Sequence, residues 1–243
     1  MLAFIIIQVG ISALWILSVD LKKEHKKDCT AFRKMIDLLL PLLFSILRVK
    51  VHVSGEDKLP QNEDRVMLVC NHTHDIDPAV LIKSFPQFKL GFIAKKEAYT
   101  LFPFVAKAMH KLHCLPIDRE NNREAAKIIV TAAKYLKERT VSIGIFPEGY
   151  TSLDGELQPL RNGAFKIATK ANVPIVVCTM VGMRHIHKKL FIKKQNVYLD
   201  IADVIYPEEF ADGHTDIIGE RVYNAMKNSI DERRKSIEEN KKA

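Results

Sequence analysis

Short apolar runs alternate with segments of helical periodicity through the middle of the chain. The runs are short enough to be buried strands, and residues 124–137 place apolar side chains three and four positions apart with basic residues opposite. Residues 49–55 alternate apolar and polar side chains, which predicts a strand. Strand and helix in alternation predict an α/β fold. The predicted buried strands are residues 66–70, 90–94, 141–146 and 173–181.

The first 48 residues have a different pattern. Residues 2–19 contain no charged side chain and would form about 27 Å of helix, at the short edge of what crosses a bilayer core of about 30 Å. A second apolar run, residues 38–47, contains Pro41 and is too short to span, so we expect it to be interfacial or re-entrant. We predict a hydrophobic two-helix membrane segment at residues 1–48 and a separate α/β domain at residues 49–243. The alternative is two core helices of a soluble protein.

Charge and cysteine content indicate where the chain works. Its 37 basic and 29 acidic residues give a net charge of +8, which favours anionic partners such as a membrane surface or a phosphorylated substrate. Because no nucleic-acid motif is present, we expect no nucleic-acid partner. The four cysteines form no Cys-x-x-Cys pair, which is typical of reduced thiols facing the cytosol. The lysines that follow residues 2–19 also indicate the cytoplasmic side; they are Lys22, Lys23, Lys26 and Lys27.

His72 and Asp77 lie five residues apart, directly after the predicted strand 66–70. Asp77 suits a helix N-cap and Pro78 the first helical position, so both side chains are expected on a strand-to-helix loop. An imidazole oriented by a carboxylate is a general base. No convincing protein nucleophile lies beside it, which indicates that the substrate supplies the nucleophile. His72, His74 and Asp77 could alternatively bind zinc, but no further ligand completes a known spacing, and we expect no metal.

Four spaced motifs resemble the glycerolipid acyltransferase family of 1-acyl-sn-glycerol-3-phosphate acyltransferases. The resemblance covers roughly residues 50–205, with the motifs in the family's order. It implies a mixed, mostly parallel central sheet flanked by helices, and makes residues 49–243 an acyltransferase domain. The motifs are Asn71-His72 with Asp77, Ile117-Asp118-Arg119, Phe146-Pro147-Glu148-Gly149, and Val173-Pro174-Ile175.

The resemblance also implies a reaction. An acyl group would pass from acyl-CoA or acyl-carrier protein, acting as a substrate, to the free hydroxyl of the lysophospholipid 1-acyl-sn-glycerol-3-phosphate, forming phosphatidate, and no cofactor is expected. His72 would take the hydroxyl proton while Asp77 holds the ring. Arg119 would bind the acceptor's phosphate, and Glu148 and Gly149 would shape the acceptor site. Membrane lipids would be partners of a membrane-associated enzyme whose active site faces the cytoplasm.

The chain departs from the family after Gly149. Where the family usually continues Thr-Arg-Ser, this chain has Tyr150-Thr151-Ser152, so one expected phosphate-binding arginine is missing. Lys95, Lys96 and Arg161 are the candidate substitutes. The departure suggests a different lysolipid acceptor as an alternative. Two further alternatives are a non-catalytic lipid-binding protein, which the intact pair of His72 and Asp77 disfavours, and a hydrolase. A hydrolase is disfavoured because Ser142 and Ser152 lie outside any Gly-x-Ser-x-Gly elbow.

Overall fold

A seven-stranded sheet forms the centre of the part of the chain that the computed structural model describes, which is residues 2–21, 23, 27–101, 103–152, 154–183, 193–210 and 213–242. Its strand order is β1-β7-β6-β2-β5-β3-β4, and every neighbouring pair is parallel except β6 with β7. The mixed, mostly parallel sheet predicted from the sequence is therefore confirmed. The strands are β1 (Val49–Ser54), β2 (Met67–Cys70), β3 (Leu90–Lys95), β4 (Leu115–Ile117), β5 (Ser142–Ile145), β6 (Ile175–Val181) and β7 (Gln195–Ile205).

Helices cover both faces of this sheet because its central strands are apolar on both sides. In β2, Leu68 and Cys70 pack with the cluster that includes helices α2 and α3, whereas Met67 and Val69 pack with helices α6, α7 and α8. The strand is thus fully buried, as its unbroken apolar run predicts. The helices of the described residues are α1 (Leu2–Leu17), α2 (Thr30–Ile46), α3 (Asp77–Ser84), α4 (Ala98–Leu101), α5 (Pro103–Lys111), α6 (Asn122–Lys137), α7 (Lys166–Ala171) and α8 (Thr215–Lys242).

The apolar run at 38–47 is the second half of a longer amphipathic helix, α2. One face of α2 contributes Phe32 and Phe44 to the core, and the other exposes Leu38 and Ile46. Arg33 on this helix is buried, pairs with Asp28 at 2.8 Å and donates to the carbonyl of Leu90 at 2.9 Å. The helix is therefore attached to the sheet by polar as well as apolar contacts. The division at residue 48 stays a prediction.

No helix among the described residues has both the length and the apolarity needed to cross a membrane. Of the four lysines after residues 2–19, Lys22 and Lys26 lie outside the described residues. Helix α1 contacts α5, where His110 Nε2 lies 2.9 Å from the carbonyl oxygen of Lys23 and the Lys107 ammonium donates to the carbonyl of Leu17.

Candidate active site

The motif residues meet at one edge of the sheet because the strands that carry them are parallel. Strands β2, β5, β3 and β4 run in the same direction, so the loops after their carboxyl ends share an edge. His72 follows β2, Glu148 follows β5, and Arg119 follows β4. Lys95 ends β3 at this edge, exposed, and is in register with Ile117 of β4. Open parallel sheets bind ligands at this edge.

His72 and Asp77 form a hydrogen-bonded pair. Asp77 is fully buried, and its Oδ2 atom lies 3.0 Å from His72 Nδ1. The same oxygen accepts the backbone N–H groups of Thr73 at 2.7 Å and His74 at 2.8 Å. Because Oδ2 acts as an acceptor towards both backbone N–H groups, the geometry suits a proton on Nδ1, which leaves Nε2 as the nitrogen that can act as a base. The His72 side chain is 16% exposed, so the ring is held within the protein and still reaches the surface.

The predicted N-cap role of Asp77 is wrong. Helix α3 begins at Asp77, with Ile76 as its N-cap. The Asp77 carboxylate turns back to the loop, where it accepts from Thr73, His74 and His72 instead of the first helical N–H groups. The spacing that resembles a cap is thus used to orient the imidazole.

Aromatic packing and an asparagine hold this loop, and the sequence did not reveal either role. The His72 ring stacks on Phe146, with ring centroids 4.2 Å apart and an interplanar angle of 20°, and Phe146 stacks in turn on Phe92. The Asn71 side chain is buried and bonds both backbone groups of Met180 on β6, accepting at 2.7 Å and donating at 3.0 Å. The family motif contains Asn71 and Phe146, which is the signal that could have identified them.

Glu148 is 1% exposed, and each of its carboxylate oxygens accepts a backbone N–H. Oε1 accepts from His72 at 2.7 Å and Oε2 from Gln158 at 2.9 Å. Burial raises the pKa of Glu148, and these two N–H groups oppose the rise because they stabilise the ionised form. The structure thus brings Glu148 to the loop that carries His72. Its contact with an acceptor stays a prediction.

Gly149 and Arg161 form the next part of the edge. The Arg161 backbone N–H donates to the carbonyl of Pro147 at 2.9 Å, which lays its side chain over Gly149. Arg119 is partly buried, and its pKa is lowered by burial first and by the positive charge of Arg161 second, while Glu97 raises it. Neither guanidinium hydrogen-bonds another described residue. Two neighbouring guanidinium groups without such partners favour an anion, above all a phosphate.

The candidate nucleophiles and metal ligands of the chain are not arranged for those roles. Burial raises the pKa of the Cys70 thiol well above its ordinary value. Ser142 is buried at the start of β5, at the opposite edge of the sheet, where its hydroxyl accepts the N–H of Val66. The Ser152 hydroxyl is buried and lies 2.8 Å from both Asp154 Oδ1 and the carbonyl oxygen of Glu156. Within the described ranges, no three His, Cys, Asp or Glu side chains lie together as metal ligands would.

Comparisons with known proteins identify relatives of this chain. The model of the acyltransferase family matches residues 50–181. A probable 1-acyl-sn-glycerol-3-phosphate acyltransferase of Mycoplasma pneumoniae is 34% identical over 172 residues, which are 69% of this chain and 63% of that protein. The 1-acyl-sn-glycerol-3-phosphate acyltransferase of Bacillus subtilis is 32% identical over 165 residues, 68% of this chain and 78% of that protein. The chain thus spans less than two thirds of the length of the Mycoplasma pneumoniae relative and more than two thirds of the length of the Bacillus subtilis relative.

A solved structure has the same fold. The crystal structure of the 1-acyl-sn-glycerophosphate acyltransferase PlsC from Thermotoga maritima superposes with a TM-score of 0.69 at 22% sequence identity, covering 93% of this chain and 88% of that one. The family match spans more than half of the 243 residues and includes His72, Asp77, Arg119 and Glu148. On that match the chain belongs to the acyltransferase family.

Proposed function

We propose that this protein transfers an acyl group from acyl-CoA or acyl-carrier protein to the free hydroxyl of 1-acyl-sn-glycerol-3-phosphate, forming phosphatidate. The observation that carries the proposal is the His72–Asp77 pair, 3.0 Å apart, at the same sheet edge as Arg119 and Arg161. A base beside an anion-binding site, with no nucleophile of the protein at hand, suits a phosphorylated substrate that brings its own hydroxyl. The relatives' names support this acceptor.

In the proposed reaction His72 moves the proton. Nε2 takes the proton of the acceptor hydroxyl as its oxygen attacks the thioester carbonyl carbon. Asp77 accepts the Nδ1–H and stabilises the imidazolium that forms. The tetrahedral intermediate collapses, the carbon–sulfur bond breaks, and the imidazolium returns the proton to the leaving thiolate. His72 is then neutral again, and the protein carries no acyl group at any stage.

Arg119 and Arg161 are the proposed phosphate ligands, with Lys95 as a third cation at the same edge. Arg119 is partly buried, so its guanidinium is better fixed than that of an exposed side chain. Arg161, which lies over Gly149, would supply the cation that the family has two residues after that glycine and that Thr151 replaces here. The reaction needs no metal and no cofactor in this proposal.

Membrane attachment through the N-terminal helices is part of the proposal. Apolar side chains are exposed on α1, α2 and α5, where they would enter one leaflet as an interfacial surface. The cytoplasmic lysines and reduced cysteines favour an active site that faces the cytoplasm, where donor thioesters are found. The exposed side chains are Ile11, Leu14, Leu17, Leu38, Ile46, Phe104 and Val105.

A different lysolipid acceptor is the second candidate, because Tyr150 and Thr151 stand where the family usually has Thr-Arg. Tyr150 lies next to Gly149, is 42% exposed, and donates its hydroxyl to Gln158 at 3.2 Å. A purified preparation assayed with a labelled acyl donor and a panel of lysolipids separates the candidates. Preferred acylation of 1-acyl-sn-glycerol-3-phosphate supports the first. Preference for another lysolipid supports the second, and no transfer to any acceptor rejects both.

A further inference from the structure

The main chain of His72 is held on both sides by the segment that follows β5. Its N–H donates to Glu148 Oε1 at 2.7 Å, and its carbonyl accepts the N–H of Ser152 at 2.8 Å. Glu148 and Ser152 are four residues apart, so the short turn between them lies against the loop that carries the candidate base. Asp77 holds the ring of His72 and the N–H groups of Thr73 and His74, whereas these two bonds hold the N–H and the carbonyl of His72 itself.

Glu148 and Ser152 are held in turn by residues 154–158, which we call the strap. The Ser152 hydroxyl lies 2.8 Å from both Asp154 Oδ1 and the carbonyl oxygen of Glu156, the two acceptors for its one proton, and it accepts the N–H of Gly155 at 3.0 Å. At the far end of the strap, the N–H of Gln158 donates to Glu148 Oε2 at 2.9 Å. The strap is therefore hydrogen-bonded both to Ser152 and to the Glu148 carboxylate.

Arg234 on the C-terminal helix α8 forms hydrogen bonds with the middle of the strap. Nη1 of its guanidinium donates to both carboxylate oxygens of Glu156, at 2.9 and 3.1 Å, and Nη2 donates to the carbonyl of Gly155 at 2.6 Å. The two guanidinium nitrogens thus hold the Glu156 carboxylate and the Gly155 carbonyl side by side. Helix α8 packs on β6 and β7, so the strap is anchored to the sheet through Arg234.

We propose that Arg234, acting through Glu156, the Ser152 turn and Glu148, is a positioning residue that sets where His72 stands. This inference rests on the base role of His72 in the proposed function. Arg234 touches neither His72 nor the arginines of the proposed phosphate site, so it acts through the strap. The physical reason is that transfer rates depend steeply on the placement of the base, and a 1 Å displacement costs roughly 100-fold.

The test compares Arg234→Ala with Arg221→Ala. Arg221 lies on the same helix and pairs with Asp203 and Glu209, away from the strap, so its loss is a matched control. We expect Arg234→Ala to lower kcat about 10-fold, because the strap loses its bonds to Arg234 and keeps those to Ser152 and Glu148. KM for both substrates should stay within about two-fold of the wild-type value. Arg234→Lys keeps a charge for Glu156 and should restore part of kcat. Arg221→Ala should leave kcat unchanged.

Amide hydrogen exchange of the peptide covering residues 71–77 gives a second readout that needs no substrate. Arg234→Ala should speed exchange at His72, whose N–H is bonded to Glu148, and Arg221→Ala should not. Unchanged kcat and unchanged exchange in Arg234→Ala overturn the inference, as does an equal loss of kcat in both variants. If the wild-type protein transfers no acyl group while exchange still responds to Arg234 alone, the proposed function fails and the positioning of His72 by Arg234 stands.

Discussion

Gly149 and Arg161 are in direct contact, and the contact is possible only because Gly149 has no side chain. A Cβ atom on Gly149 would lie 2.6 Å from Arg161 Nε, and the backbone φ of Gly149 is +86°. Both the space and the backbone conformation thus require glycine here. The glycine of the third motif lets a guanidinium lie directly on the turn that also carries Glu148.

Gly149→Ala should therefore weaken acceptor binding more than it slows chemistry. The new methyl group pushes the Arg161 side chain away, and the left-handed backbone adds a cost of about 1 to 2 kcal/mol to folding. We expect KM for the phosphorylated acceptor to rise about 10-fold, which corresponds to about 1.4 kcal/mol of binding. Gly163→Ala is the control, because a Cβ there would meet no atom within 4 Å. An equal KM for the acceptor in the two variants would contradict a role of the Gly149–Arg161 contact in acceptor binding.

Arg119→Ala and Arg161→Ala should each raise KM for the phosphorylated acceptor. A charge-assisted hydrogen bond contributes about 1.5 to 3 kcal/mol, so each loss should cost about 10- to 100-fold. The two effects should not add in the double variant, since one phosphate is shared. The same variants are then assayed with an acceptor that lacks the phosphate. An equal loss with both acceptors would argue against phosphate binding. Arg123→Ala is the control, since Arg123 is exposed at the start of α6.

His72→Ala should lower kcat by about 100- to 10,000-fold, as expected for a general base. Asp77→Asn should lower it by up to about 10,000-fold, because a neutral amide neither fixes the tautomer nor supports the imidazolium. His74→Ala is the matched variant: His74 lies in the same loop, and its Nδ1 accepts the N–H of Ile76. A larger loss for His74→Ala than for His72→Ala would make His74 the base.

The sequence predicted the sheet well where hydrophobicity alone decides. The run at 66–70 and the other apolar runs became buried strands, because strands covered on both faces need apolar side chains throughout. Helix α2 was predicted only in part. Its first half contains Arg33, Lys34 and Asp37, and burial of Arg33 depends on Asp28 and the carbonyl of Leu90, which no local pattern predicts.

The site was predicted by residue type and motif order, and its supports were not. His72, Arg119 and Glu148 follow strands whose carboxyl ends meet, and this common edge depends on the strand order in the sheet, which the sequence did not predict. The sequence offered Asp77 two roles, a helix cap and the partner of the His72 ring, and the structure shows the second. The bonds from Glu148 and Ser152 to His72 join segments about 80 positions apart, and single-sequence patterns contain no such information.

Glu148 should leave a signature in the pH dependence of stability. Burial raises its pKa above the ordinary value of 4.5, so the folded protein holds this proton more tightly than the unfolded chain does. The resulting contribution to the free energy of unfolding is full below pH 4.5 and declines as the pH rises through the folded pKa. The wild type should thus lose stability relative to Glu148→Gln over that window. Denaturant unfolding of both proteins measures this, and a constant difference would refute it.

Leu14 should contribute to membrane binding if α1 lies in the interface. Its side chain is 69% exposed, and burying a leucine in an apolar environment contributes about 1.5 to 3 kcal/mol. Leu14→Glu replaces that gain with a buried charge, so binding to vesicles of phosphatidylcholine and phosphatidylglycerol should weaken by at least about 10-fold. Val130→Glu is the control, since Val130 is 57% exposed on α6, a helix outside the proposed membrane surface. Sedimentation with vesicles measures both variants, and an equal effect of the two would exclude α1 from the membrane surface.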